Sequence, residues 1–274
     1  MPVSRTRKPR NKSKAAARDS RADKRAPREP GAATGGRRLA AGALALALVC
    51  VLVIGALSAL SGSGGDDPAG GGDGPTVEPL PSDHPALALA RREDGDPLAI
   101  GDTDAPVVMI EYADFQDAFA GIHARDTHDS LVAEYVESGV LRIEFRNFPV
   151  NGPESDAAAR ASWAAGRQGR FWEFSAVAFG EEFNHDSGRF SADGLRELAT
   201  EAGVPDLDRF AEDTESPEAG DAVGRDAEEA LDLGVTTTPA FLINGQALQG
   251  ARPVEDFRDI IDQLAGAAEE DSAD

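Results

Sequence analysis

Residues 39–60 read LAAGALALALVCVLVIGALSAL, 22 residues without a charged side chain. At about 1.5 Å of rise per residue, a helix of that length crosses the roughly 30 Å hydrocarbon core of a bilayer. A chain holding such a segment is divided into one part on either side of the bilayer. Arg37 and Arg38 precede the run, and Asp66 and Asp67 come after it. Positive charge stays on the cytoplasmic side, which predicts a single-pass cell-membrane protein with residues 1–38 in the cytoplasm and everything after about residue 61 outside. A cleaved signal peptide is the rival reading. The basic lead is long for one, and no clean small-residue cleavage site closes the run. Cys50 lies inside it, after Val49 and before further apolar residues, which suits a buried membrane thiol better than a lipidated one.

Charge divides at the same place. Residues 1–38 carry 13 Lys/Arg against 3 Asp/Glu, whereas residues 39–274 carry 14 arginines, no lysine and 46 Asp/Glu, a net −32. An acidic body of this kind is unsuited to a phosphate backbone, so nucleic acid is not an expected partner. The basic segment has too little apolar bulk to offset the entropy of ordering and reads as a disordered cytoplasmic tail. Residues 61–85, rich in Gly, Ser, Asp and Pro, read as a linker. A globular domain is expected over 86–265, with a frayed acidic tail at 266–274.

Within the domain the hydrophobic period changes along the chain. Residues 106–112 (PVVMIEY) have strand length, and 140–145 (VLRIEF) alternate. Between them, Ile122, His128, Leu131, Val132, Tyr135 and Val136 fall near one helical face, closed by Gly139. Two strands joined by a helix predict a parallel βαβ unit. Residues 154–233 show helical patterning alone. Residues 240–243 (AFLI) and 246–248 then flank Asn244-Gly245, a hairpin signature. Pro253 opens a last helix with Val254, Phe257, Ile260, Ile261 and Leu264 on one side. The fold class is thus α/β, in the order βαβ, helical block, ββα.

Four strings carry a resemblance: EYADFQ at 111–116, HDSLVAEYVESGVLRIEFRNFPV at 128–150, QGRFWEF at 168–174 and GVTTTPAFLINGQALQGARP at 234–253. Together, over about residues 95–264, they resemble the DsbA-like branch of the thiol–disulfide oxidoreductases. That resemblance implies a thioredoxin fold with a helical insertion. It also implies a Cys-x-x-Cys at the start of the first helix and a cis-proline loop facing it. Here Asp117-Ala118-Phe119-Ala120 stands at the redox positions, so Asp117 replaces the attacking cysteine and Ala120 the resolving one. Thr238-Pro239 matches the cis-proline loop. Disulfide exchange passes through a thiolate and a mixed disulfide. The sole sulfur in residues 61–274 is Met109, so the domain alone has no means of exchange.

These readings predict a redox-inactive binding module. Phe119, Thr238 and Pro239 are the expected peptide-binding residues, with peptide, unfolded protein or an envelope protein as partner. Disulfide chemistry borrowing a partner's cysteines and a structural role in an envelope complex are the alternatives. No cofactor and no metal are expected, because neither a Walker A loop, a dinucleotide glycine signature nor a zincin helix is present. Asp117 is expected to cap a helix. His128 is expected to be a packed helix residue and His123 a partly exposed one. Trp163, Phe171, Trp172, Phe174 and Phe179 are expected in the core of the insertion.

Overall fold

The computed structural model of the chain describes residues 75–180 and 185–273. The expected cytoplasmic tail, membrane segment and most of the linker lie outside the described residues. Among the described residues no helix is long and apolar enough to cross a membrane.

Five strands form one sheet: β1 (Ala99–Ile100), β2 (Val107–Ala113), β3 (Leu141–Asn147), β4 (Ala240–Ile243) and β5 (Gln246–Gln249), in the order β1-β3-β2-β4-β5. β2 and β3 pair in parallel, as the helix between them demands, and the other neighbours are antiparallel. The helix between β2 and β3 begins as α1 (Ala118–His123) and continues through α2 (Asp129–Leu131). Two π-helical stretches, Ala124–His128 and Val132–Val136, interrupt it. Each holds more residues per turn than an α-helix and so rotates the succeeding turns about the axis. The single apolar face expected from a 3.6 period is therefore broken. Leu131 is buried, but Ile122 faces out.

The helical block comprises α3 (Pro153–Gly166), α4 (Phe171–Phe179), α5 (Ala192–Glu201), α6 (Leu207–Thr214) and α7 (Pro217–Asp232). Its core is aromatic as expected. Phe115, Phe145, Phe171, Phe174 and Phe179 pack with alanines of α3, and Phe115 stacks on Phe179 at 4.7 Å. Trp163 and Trp172 pack against this core from its edge and are only partly buried. At the hairpin, Asn244 and Gly245 take φ of 44° and 81°, the paired positive values that a two-residue turn requires.

α8 (Val254–Ala273) carries Phe257, Ile260, Ile261 and Leu264 into the sheet. It does not fray at 266 as expected. Once its first turns are anchored, the Ala- and Glu-rich continuation extends it at little cost. The N-terminal boundary also differs from expectation. Val77 packs on the α8 core, Gln263 donates to the Pro75 carbonyl at 2.9 Å and accepts from the Val77 N–H at 3.1 Å, and Gln246 donates to Glu78. Residues 75–80 are therefore held by the domain through backbone contacts that no apolar pattern announces.

Strand alternation sends β2 and β3 side chains to two different environments. Val107, Met109 and Ile143 face α8. Val108, Ile110 and Tyr112 face α7, and the register sets them beside Arg142, Glu144 and Arg146. That second face is buried as well, so the three β3 charges form an internal network rather than a solvated edge.

Candidate functional site

The loop leaving β2 is shaped by Asp114. Its buried carboxylate accepts from the Gln116 N–H at 2.7 Å through one oxygen. Through the other it accepts from the Val150 N–H (2.7 Å), the Asn151 N–H (2.8 Å) and Asn151 Nδ2 (3.0 Å). Gln116 extends the clamp, donating to the Asn151 carbonyl and Ser155 Oγ and accepting from the Asp186 N–H. The chain then enters α1 with Asp117 as its N-cap. Asp117 Oδ1 accepts from the Phe119 N–H at 2.6 Å and the Ala120 N–H at 3.2 Å. Asp117 Oδ2 accepts a short hydrogen bond from the Thr238 hydroxyl.

The Thr238-Pro239 peptide is cis, and it brings the loop after α7 against the start of α1. The structure thus assembles Asp117, Phe119 and Thr238 at one place. Ala120 and Pro239 are buried beside them. A shallow groove of about 590 Å³ runs between Asp117, Phe119, Val150 and Asn151 on one side and Thr236, Thr237, Thr238 and Arg252 on the other. Phe119 is 59% exposed and Val150 50%. Both Asp117 oxygens are engaged by donors of the chain itself. The carboxylate therefore acts as a cap and a latch to the Thr238 loop, and among the described residues the site holds no sulfur, activated nucleophile or paired acid and base.

Sequence reasoning missed Asp114 and the 148–151 loop. The available signal was local, since an Asp two residues before a loop N–H is the spacing of an Asx-turn. It also misplaced His123, which is 1% exposed rather than partly so. The ring lies 4.5 Å from Phe241 and 5.1 Å from Phe257, with Nε2 3.9 Å from Glu111 Oε2 and no hydrogen-bond partner for either nitrogen among the described residues. Burial, with nearby His128 second, lowers the His123 pKa to about 3, and burial alone raises Glu111 to about 8. The contact is therefore between two neutral groups at neutral pH. His128 is packed as expected, stacked on Trp172 at 4.9 Å.

This burial makes stability depend on pH. Folded Glu111 keeps a proton that the unfolded chain gives up above an ordinary carboxyl pKa near 4.5. Its contribution is fully present below that value and is lost as pH rises towards 8. Glu111→Gln removes the penalty. At pH 8 the variant is expected to be more stable than the wild type by on the order of 3 kcal/mol, and at pH 5 nearly equal. Urea titrations at the two pH values measure the difference. Parallel stability at both would place Glu111 in a solvated setting.

The sequence model of a family described as thioredoxin matches residues 93–263. Among curated proteins, the chain is 34% identical over 151 residues to a Na(+)/H(+) antiporter NhaA of Herminiimonas arsenicoxydans, covering 55% of this chain and 23% of the antiporter. It is 28% identical over 151 residues to the "Probable disulfide bond formation protein D" of Bacillus cereus, covering 54% of this chain and 69% of that protein. The chain thus spans less than a quarter of the antiporter's length. Among solved structures, alpha-DsbA1 of Wolbachia pipientis superposes with a TM-score of 0.55 at 24% identity, over 64% of this chain and 93% of that one. Oxidised BdbD of Bacillus subtilis gives 0.58 at 19%, over 63% and 94%. With this family match the chain belongs to the thioredoxin family and shares the fold of the DsbA structures, with Asp117-Ala118-Phe119-Ala120 in place of the Cys-x-x-Cys that the DsbA-like resemblance implies.

Proposed function

We propose that this chain is a membrane-anchored, extracytoplasmic binding protein, redox-inactive, whose groove holds an extended segment of an unfolded or partner polypeptide. Residues 39–60 serve as its anchor, with residues 1–38 in the cytoplasm. One observation carries the binding reading: of the four large hydrophobic side chains exposed among the described residues, Phe119 and Val150 flank the same groove. Exposed apolar groups gathered at a cleft mark an interaction surface. Residues 236–238 lie just outside the β4 ladder and form the opposite wall, where an extended chain can pair with backbone while Phe119 takes an apolar side chain. The alternative occupant of the same groove is a segment of an envelope partner protein. Disulfide exchange would require such a partner to bring all the cysteines.

The test is binding of a labelled, permanently unfolded polypeptide with blocked cysteines, monitored by fluorescence anisotropy. Phe119→Asp is expected to weaken it by about tenfold, a loss of about 1.4 kcal/mol, and Pro239→Ala to weaken it too. Equal affinity in the wild type and Phe119→Asp, or no binding by either, would overturn the reading.

A further inference from the structure

A second cavity, of about 450 Å³, lies away from the groove, between β2, the helical run 118–136 and α4. Its volume falls within the range of small-molecule sites. Val132, Phe145, Trp172 and Phe179 supply apolar and aromatic walls. Glu111 lines it, 3% exposed and without a hydrogen-bond partner among the described residues. A buried carboxyl ordinarily finds partners, and one left without them is costly. The neutral His123 places Nε2 3.9 Å from Glu111 Oε2, too far for a hydrogen bond. Of the other groups facing the cavity, Arg125 directs Nη1 to the Phe179 carbonyl at 2.6 Å, and His128 is stacked on Trp172 with its pKa lowered by burial. Exposed Asp129 adds a carboxylate at the margin.

We propose that this cavity binds a small organic cation, a primary amine on an aromatic or apolar body, with the ammonium group against the Glu111 carboxylate and the body against Trp172 and Phe145. The chemistry favours this class over others. An ammonium supplies the donors that Glu111 lacks, and the aromatic wall attracts a cation. The net −32 of residues 39–274 concentrates cations near the domain and repels anions. A neutral apolar molecule would fill the walls but leave Glu111 unpaired. Bound cation draws the proton from Glu111, whose pKa stands at about 8 in the empty site. Burial lowers both His123 and His128 and raises Glu111, which assigns a change of charge near pH 8 to Glu111. This site is independent of the peptide groove.

Calorimetric titration of the full-length chain with 2-phenylethylamine, and with its neutral isostere 2-phenylethanol, tests the proposal. At pH 8 the amine is expected to bind at one site, about tenfold more tightly than the alcohol. Amine affinity should rise from pH 6 to pH 8, with release of a proton that registers as a dependence of the heat on buffer. Glu111→Gln should abolish both the preference and the pH dependence, while Val132→Trp, which fills the cavity, should remove binding of both compounds. Equal affinity for amine and alcohol in the wild type would overturn the proposal. So would a preference that survives Glu111→Gln, or the absence of saturable binding by the amine.

Discussion

Asp117→Cys combined with Ala120→Cys is expected to convert a thiol-free domain into a disulfide exchanger. Wild-type exchange is barred by inventory, since residues 61–274 contain no thiol. The geometry that a reactive thiol needs is nonetheless in place. Position 117 receives the Phe119 and Ala120 N–H groups and the Thr238 hydroxyl. A sulfur there meets the same donors at a helix N-terminus, which favours thiolate and lowers its pKa below that of an ordinary cysteine. Position 120 is buried one turn along, the place for a second thiol that attacks a mixed disulfide from within. The double variant should reduce insulin and promote refolding of scrambled RNase at rates well above background, with the wild type at background. Asp117→Cys alone should accumulate mixed disulfides without turnover, because nothing resolves them. Activity in the wild-type domain would refute redox inactivity. A double variant that folds but never forms its disulfide would refute the assignment of positions 117 and 120.

Part of this architecture was open to reading in the residues and part was not, and distance along the chain separates the two. The Asn244-Gly245 hairpin, the cap at Asp117 and the Gly139 helix end are written in one to four neighbouring residues, each with its own conformational reason. The burial of Glu111 was legible in part. It comes after Val107 and Met109 at a period of two on a strand, so alternation alone aims it at the core. What alternation could not supply was the neighbour, His123, whose inward turn depends on packing between Phe241 and Phe257, more than a hundred residues on. Alternation marked β3 as a strand but did not show that its polar side chains are covered, because their cover, α7 and Arg91, is remote in sequence. The groove combines both kinds of information. Exposure of Phe119 is set by its place in the first helical turn, but its juxtaposition with Val150 depends on the Asp114 clamp across 36 residues.

The β3 charges give the other large expected effect. Glu144 is fully buried and accepts from Arg142 Nε (2.9 Å), Arg146 Nη2 (2.7 Å) and the N–H groups of Arg91 (2.9 Å) and Arg92 (2.8 Å). Arg146 reaches on to Glu229, which also holds Arg91 and the Tyr112 hydroxyl, so one carboxylate joins the sheet to α7. Burial by itself raises the Glu144 pKa. The hydrogen bonds from Arg142, Arg91, Arg146 and Arg92 outweigh it and hold the group at about 2. Because the folded value lies below the ordinary one, this stabilisation is present above about pH 4.5 and is lost as pH falls towards 2. Glu144→Gln keeps the shape but removes the charge and turns an N–H₂ towards groups that can only donate. Two guanidinium groups then lack their shared counter-ion in a dry interior, a loss of about 3–5 kcal/mol when one partner of a buried pair is removed. Against a total of about 5–15 kcal/mol for a domain, that is enough to leave part of the population unfolded at 37 °C. Urea denaturation at pH 7 should show the loss, and the variant should lack much of the wild type's added acid sensitivity between pH 4.5 and pH 2. A loss below about 1 kcal/mol, within the range of an exposed ion pair, would show that the network is solvated rather than buried.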